Sequence, residues 1–426
     1  MIPKDAIENW EKIIPAHILR DVIKAFENTE FLTSIRINPV FEDELSIKYG
    51  KMKKIPWCKG GYVLPFRPEF KTDSDFLAGK IYPQESSSMI IDTIIGVLFP
   101  KTNKKINANE NIVFMDLCAA PGGKTLILND YLEKNVKNGI LISNEILEKR
   151  NIILKEIVEK WDCQNTIITR NKPFDIGKFS EYIDLMLIDA PCSGEGMARK
   201  DPETWNYWSQ KNIEICQKRQ REIIWDSFNA LKIGGYLIYS TCTLNRTENE
   251  DIADWIGGNF PAQKIILDGI KSDFPGILEF SPGCYRFLPS FVPGEGFFFC
   301  IFQKSRSFNY YSQNQVDEEA LWIQLKGRKI EKKGDKGLFK RKFPTLHIEK
   351  SQQIIKAWRN KMKEMKKNYL DESSLCSIDQ LKYYLIPKYS EEITKFINEN
   401  LTVTRYFVEI GTMFRKDINT IKVKNK

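Results

Sequence analysis

The apolar positions of the chain change rhythm along its length. Between Ala16 and Phe26 they fall at Ile18, Leu19, Val22, Ile23 and Phe26, the spacing of one helical face. Thr33–Pro39 alternates in the manner of a strand, and Trp57–Pro65 is an aromatic stretch with a Gly-Gly turn. From about residue 80 to residue 304, short apolar runs alternate with helical periodicity. Strands are expected at Ile112–Leu117, Gly139–Glu145, Thr166–Thr169, Asp184–Ala190 and Tyr236–Thr243. A helix is expected after the glycine loop that follows the first strand, another at Leu147–Trp161, and a long one at Ile213–Ile233, closed by Gly234-Gly235. Phe297–Gln303 reads as an edge or final strand. This order predicts an α/β fold, with a mostly parallel sheet covered by helices on both faces. Ligands of such sheets sit at the carboxyl ends of the strands.

Around that core the pattern divides the chain into four parts. An N-terminal α+β extension (1–75) precedes the α/β domain (76–304); a polar, charged linker (305–335) and a small α+β C-terminal domain (336–426) follow it. A chain of 426 residues can bury two or three cores. Charge follows the same division. Residues 305–426 carry 26 Lys+Arg against 15 Asp+Glu, whereas the first 304 residues carry 38 against 41. A basic segment beside a near-neutral one suggests a polyanionic partner, nucleic acid first, although a solvated lysine-rich surface explains the charge as well.

Several classes are disfavoured. The most apolar stretch, Met89–Phe99, is broken by Asp92 and falls short of the ~20 residues of a membrane span. Met1–Trp10 carries Asp5 and Glu8 and no basic-then-apolar leader. No membrane partner and a cytoplasmic location are therefore expected. The nine cysteines are scattered, with no C-x-x-C pair, against both a disulfide framework and a structural zinc site. The two histidines, His17 and His347, lie far from the motifs below, so neither a histidine base nor a metal is expected. Nothing requires more than a monomer.

Three motifs carry chemistry. DLCAAPGGKT (116–125) follows a strand and opens a helix. Gly122 and Gly123 permit a tight turn and close backbone approach, and the helix start offers free N–H groups. The spacing matches neither a Walker loop nor a G-x-G-x-x-G fingerprint. Glu145 ends the next strand, where an acid can hold ribose hydroxyls. Loop plus acid suits an adenosine-type ligand without a triphosphate, and S-adenosylmethionine fits. DAPCSGEGM (189–197) and STCT (240–243) both begin at strand ends, so Asp189, Cys192 and Cys242 should converge. Cytosine C5 is a poor nucleophile, and a thiolate adding at C6 makes it a good one. The adduct must then lose a proton and expel the thiol, while a carboxyl hydrogen-bonds the N3 and amine edge. Either cysteine alone would more often be a buried filler; two in strand-end loops beside the glycine motif favour function. The residues by themselves do not say which thiol attacks.

Together DLCAAPGGKT, DAPCSGEGM and YSTCTL resemble the Sun-type family of RNA cytosine-5 methyltransferases. The continuation Gly-Glu-Gly-Met, Arg-Lys-Asp-Pro is similar to its bacterial ribosomal RNA (RsmF-like) branch. RINP with Arg36 and Asn38, IPWCKGGYVL (55–64), YPQESSSM (82–89), Glu248-Asn249-Glu250 and Gly294-Glu295-Gly296 extend the likeness over roughly 30–304. The resemblance implies a class I (Rossmann-like) methyltransferase domain and an S-adenosylmethionine-dependent methyl transfer to C5 of cytosine in RNA. Ribosomal RNA is the first substrate and transfer RNA the second, with RNA-binding N- and C-terminal parts. It assigns Cys118, Ala119, Ala120, Pro121, Gly122, Gly123 and Lys124 to the methionine and ribose side of the cofactor, and Glu145 to the ribose hydroxyls. Asp189 falls between cofactor and cytosine, Cys242 is the nucleophile, and Cys192 assists product release. In the loop after the third strand the family often has an acid toward adenine; here Asn171 stands in, and Arg150 joins the cofactor set. The pattern also departs at Phe76, Ser290 and Arg246-Thr247. Two other readings remain: a catalytically inactive RNA-binding relative, and an N-methyltransferase that needs no thiol.

Overall fold

The computed structural model describes residues 2–27, 32–100, 112–136 and 139–308, and the backbone of five short strands between 374 and 422. The chain opens with α1 (Lys4–Glu11) and α2 (Ala16–Glu27). The predicted apolar face of α2 buries Leu19 and Val22 against Trp10, Leu244 and Leu288. Next come β1 (Thr33–Ile37), β2 (Lys53–Lys54), β3 (Gly61–Leu64) and β4 (Ile81–Pro83), an antiparallel sheet in the order β2-β3-β1-β4. α3 (Glu42–Tyr49) and the one-turn α4 (Ser74–Leu77) lie between its strands in the chain. The polar positions of β1 are buried as well as its apolar ones. Arg36 meets Asp130 at 2.5 Å, and Asn38 donates to the Trp161 carbonyl at 3.0 Å. These contacts join the sheet to the larger domain. Because β4 pairs with β1, the N-terminal sheet runs past the boundary expected at residue 75.

The central sheet contains β5 (Ile112–Asp116), β6 (Gly139–Asn144), β7 (Thr166–Thr169), β8 (Ile183–Asp189), β9 (Leu231–Thr241), β10 (Ala262–Lys264), β11 (Ile277–Ser281), β12 (Cys284–Phe287) and β13 (Phe297–Lys304). Its main path is β11-β12-β13-β9-β8-β5-β6-β7, with β10 paired to β13. β7, β6, β5, β8 and β9 are parallel, and β13 runs against β9 and β12. The intervening helices are α5 (Ile90–Leu98), α6 (Gly123–Asn135), α7 (Glu148–Trp161), α8 (Pro173–Gly177), α9 (Gln210–Ser227), α10 (Glu250–Asn259) and α11 (Ile270–Asp273). Alternate residues of β5 enter two apolar layers, Val113 and Met115 in one, Ile112 and Phe114 in the other. Both faces of the sheet are therefore covered, as a near-continuous apolar strand requires.

Three expectations change. The long helix stops at Ser227, and Leu231–Ile233 already belong to β9. Leu231 pairs with Ile183, and Gly234, at φ +79°, sits where the ladder shifts register. The Gly-Gly pair thus makes a bulge inside a strand rather than a helix stop. Phe297–Lys304 is an inner strand, because the β11–β12 hairpin, turned at Pro282-Gly283, lies outside it. Phe308, assigned to the linker, is buried against Trp225, Phe228 and Phe260. The rest of the expected linker, 309–335, lies outside the described residues. Within the expected C-terminal domain, the backbone forms β14 (Ser374–Asp379), β15 (Lys382–Ile386), β17 (Glu409–Met413) and β18 (Ile421–Lys422), a separate four-stranded sheet. β16 (Val403–Arg405) instead pairs antiparallel with β7 at the edge of the central sheet.

Candidate functional site

The parallel strands β5, β6, β8 and β9 end together at Asp116, Asn144, Asp189 and Thr241, so the loops that follow them converge. The first loop is pinned on both sides. Leu117 N–H donates to the Leu187 carbonyl, and Ala119 N–H to the Asn144 carbonyl, each at 2.9 Å. Gly122 then takes φ +128°, and a Cβ there would lie 3.2 Å from Ile157 Cγ2. No side chain caps the start of α6, which leaves its first N–H groups for a ligand. Asp116 is fully buried; Thr125 Oγ1 donates to one carboxylate oxygen at 2.7 Å, and the other oxygen has no partner. Burial pushes Asp116 up to about 7, against the Thr125 hydrogen bond and helped by Asp189. Burial also raises the Cys118 thiol.

The expected adenosine-side residues surround this loop. Glu145 is buried; its Oε1 accepts from Leu147 N–H at 2.9 Å, and its Oε2 lies 3.5 Å from Arg150. Arg150 also donates to the Ala120 carbonyl. Asn171 N–H donates to Asn144 Oδ1 at 2.8 Å, and Asn144 Nδ2 donates to the carbonyls of Asn171 (3.0 Å) and Leu117 (3.2 Å). Asn144 therefore stitches three strand-end loops together. The sequence reading missed it, although its place as the last strand residue before Glu145 was a usable signal.

The expected chemical residues meet. Cys192 Sγ and Cys242 Sγ are 3.3 Å apart. Contact with the Cys242 sulfur, and then burial, hold the Cys192 thiol well above its ordinary range. Asp189 ends β8 beside them; its two oxygens accept from Lys124 Nζ and Ser240 Oγ, each at 2.8 Å. Burial opposes the charge on Lys124, but Asp189 outweighs it, so the ammonium is held protonated. Lys124 thus projects from the glycine loop to the carboxyl of the thiol site, a link invisible in the sequence.

Buried carboxylates hold the two thiol loops in place. Glu195 is fully buried and accepts five hydrogen bonds. Its Oε2 takes Trp10 Nε1 (3.0 Å), Thr243 Oγ1 (2.8 Å) and the N–H groups of Leu244 and Asn245 (2.9 Å each). Its Oε1 takes Trp208 Nε1 at 2.9 Å. Glu248 accepts from Ser193 N–H, Gln220 Nε2 and Asn245 Nδ2 at 3.0, 2.8 and 2.9 Å, and burial lifts it to about 7 despite these donors. Glu250 and Arg286, both 1% exposed, form a two-pronged ion pair. The Gly196 N–H donates to the Cys242 carbonyl at 2.9 Å, which ties one thiol loop directly to the other. All three acids stood in quoted motifs, Glu195 in DAPCSGEGM and the other two in Glu248-Asn249-Glu250, but without a role.

A five-strand parallel core with the reversed strand β13 beside β9, and a glycine loop facing an acid, define a class I methyltransferase domain. Solved structures share this fold. A methyltransferase homologue from Pyrococcus horikoshii is 25% identical with a TM-score of 0.55, covering 70% of this chain and 93% of its own. NSun6 from the same organism matches with a TM-score of 0.59 at 20% identity, over 72% of this chain and 99% of its own. The family model described as 16S rRNA methyltransferase RsmB/F matches residues 104–303, and that for the N-terminal domain of 16S rRNA methyltransferase RsmF matches residues 2–86. The chain belongs to this Sun-type RsmB/F family, in its RsmF-like branch. One relative, ribosomal RNA small subunit methyltransferase F of Pectobacterium atrosepticum, is 32% identical over 72% of this chain and 63% of its own length. The chain thus spans just under two thirds of that relative.

Proposed function

We propose that the protein transfers a methyl group from S-adenosylmethionine to C5 of a cytosine in ribosomal RNA, through a covalent adduct between Cys242 and C6. The 3.3 Å meeting of Cys192 and Cys242 beside Asp189 carries this reading. Cytosine must leave its stack to expose C6, so a loop or locally opened RNA is the substrate form. The thiolate of Cys242 forms the S–C6 bond, and the displaced electron pair makes C5 nucleophilic. Asp189, held by Lys124 and Ser240, hydrogen-bonds the N3 and amine edge as the ring gains electron density. After methyl transfer, Cys192 assists release by acting as, or organising, the base that takes the C5 proton; the C5–H electron pair re-forms the C5–C6 double bond, and the S–C6 bond breaks to return the Cys242 thiolate.

The residues present fit an adenosine-type cofactor. The uncapped start of α6 and the partnerless oxygen of buried Asp116 are polar groups lacking an intramolecular partner beside a glycine turn. On this reading residues 118–124 hold the methionine and ribose part, Glu145 the ribose hydroxyls, and Arg150 and Asn171 the adenosine side. When bound, S-adenosylmethionine supplies an electrophilic methyl group. The N-terminal extension and the basic C-terminal part complete the RNA surface. The enzyme works in the cytoplasm as a monomer, and its chemistry calls for no metal. Among the described residues, no helix is long and apolar enough to cross a membrane.

The test is adduct trapping with in vitro methylation. Cys242→Ala should be inactive and form no adduct; Cys192→Ala should accumulate a denaturant-resistant protein–RNA adduct. Full activity in Cys242→Ala would replace this mechanism with N-methylation. RNA binding by the unmodified protein without 5-methylcytosine would point to an inactive module.

A further inference from the structure

An open groove of about 390 Å³ lies between α2 and the segment after β12, lined by Asp21, Lys24, Ala25, Arg199, Ser290 and Phe291. Its volume falls in the range of small-ligand sites. Arg199 stands out within it. One guanidinium N–H donates to the Gly294 carbonyl, but Nε is buried without any partner. A desolvated donor left unpaired is costly, and a groove ligand meets Arg199 through its other guanidinium N–H groups rather than through Nε. Burial disfavours the charge of Arg199, and Glu295 and Glu85 counter that only in part. Phe291 is 39% exposed, an aromatic residue that lines the groove. Lys24 adds a second cation, paired at 3.9 Å with Asp21, which also lines the groove.

The groove is tied to the thiol site. Arg199 ends the 3-10 turn Glu195–Arg199, whose Gly196 donates to the Cys242 carbonyl. Three residues of such a turn span about 6 Å. We propose that this groove is the subsite for a single-stranded nucleotide flanking the target cytosine, its base stacked on Phe291 and its phosphate held by Arg199 and Lys24. Aromatic stacking with a cationic anchor is how unpaired RNA bases are commonly held. The arrangement also gives the α1–α2 extension a task, since α2 forms one wall. The proposal rests on the RNA-methylating function above and names where that RNA runs.

The test compares wild type with Phe291→Ala and Lys24→Ala in two assays: binding of a fluorescent single-stranded RNA by anisotropy, and methylation of RNA oligonucleotides. Phe291→Ala should weaken RNA binding and raise KM for RNA about 5- to 100-fold, with kcat and cofactor affinity kept. Lys24→Ala should lower the salt dependence of binding by about one counterion. An abasic substitution at one flanking position should reproduce the Phe291→Ala loss in the wild type and add nothing to it in the variant. Unchanged RNA affinity in Phe291→Ala, or fully additive losses, would overturn the subsite. Because binding is read separately, a wild type that binds RNA but methylates none refutes the enzymatic reading while the anisotropy result still decides the groove.

Discussion

At the scale of single residues, the ion pair of Lys124 with Asp189 links the glycine loop to the thiol site. Asp189 is 30% exposed, and its ammonium partner Lys124 only 16%. Lys124→Gln would keep most of the side-chain volume and remove the cation, leaving Asp189 to Ser240 alone. Methyl transfer should slow about 100-fold, the usual cost of a small misplacement in a reacting group. Single-turnover kinetics with saturating cofactor would measure this, and a rate within threefold of wild type would remove Lys124 from the mechanism. The sequence made the types and approximate places of these residues legible, because thiols and acids at strand ends have few other uses together. It could not show the 2.8 Å link between Lys124 and Asp189, since the two are 65 positions apart. Their meeting depends on β5 and β8 being neighbours in the sheet.

At the scale of elements, the thiol loops are held by buried acceptors as well as by their own backbone. Glu195 gathers donors from α1, from the loop before α9 and from the loop after β9. Glu195→Gln puts an amide where one carboxylate oxygen stood, so at least one buried N–H or O–H loses its acceptor. A loss of about 1–3 kcal/mol in stability is expected for such a group. Trp10→Phe removes a single donor and should cost less. If Glu195 also sets the separation of the cysteines, Glu195→Gln will slow adduct formation in the Cys192→Ala background at temperatures where the protein is fully folded. Chemical denaturation and adduct kinetics together check this. Helices α2, α7 and most of α9, and the parallel strands, were legible in their apolar periods, whereas α5, α8, α10 and α11 were not read from the sequence. The β11–β12 hairpin was not, because short strands with Glu279, Arg286 and a cysteine lack a two-residue alternation. Likewise Leu231–Ile233 looked like a helix end until pairing with β8 claimed them.

At the scale of the whole molecule, burial of acids shapes the response to pH. Asp116, Glu248 and Glu295 are each raised to about 7, chiefly by desolvation. In the native state they keep protons that the unfolded chain gives up near pH 4. Their contribution is therefore complete below about pH 4 and is lost as pH rises through about 7. The apo protein should lose stability across that window unless groups with lowered values, such as Glu279, offset the trend. Asp116→Asn isolates one contribution. Thermal melts at a series of pH values should fall less steeply for the variant than for wild type between pH 4 and 7, and parallel curves would show that Asp116 ionises normally.

The order of strands and helices, the glycine loop and the two cysteines were determined by the sequence itself, because periodicity and strand-end chemistry are local properties. Which strands became neighbours was a tertiary decision, made by burying both faces of one sheet. That decision brought Cys192 within 3.3 Å of Cys242, and Lys124 onto Asp189. It also placed Trp10, from the first helix, on the carboxylate behind the thiol loops. Long-range packing alone could do this, since no local pattern states which distant side chain will fill the space beside a buried charge.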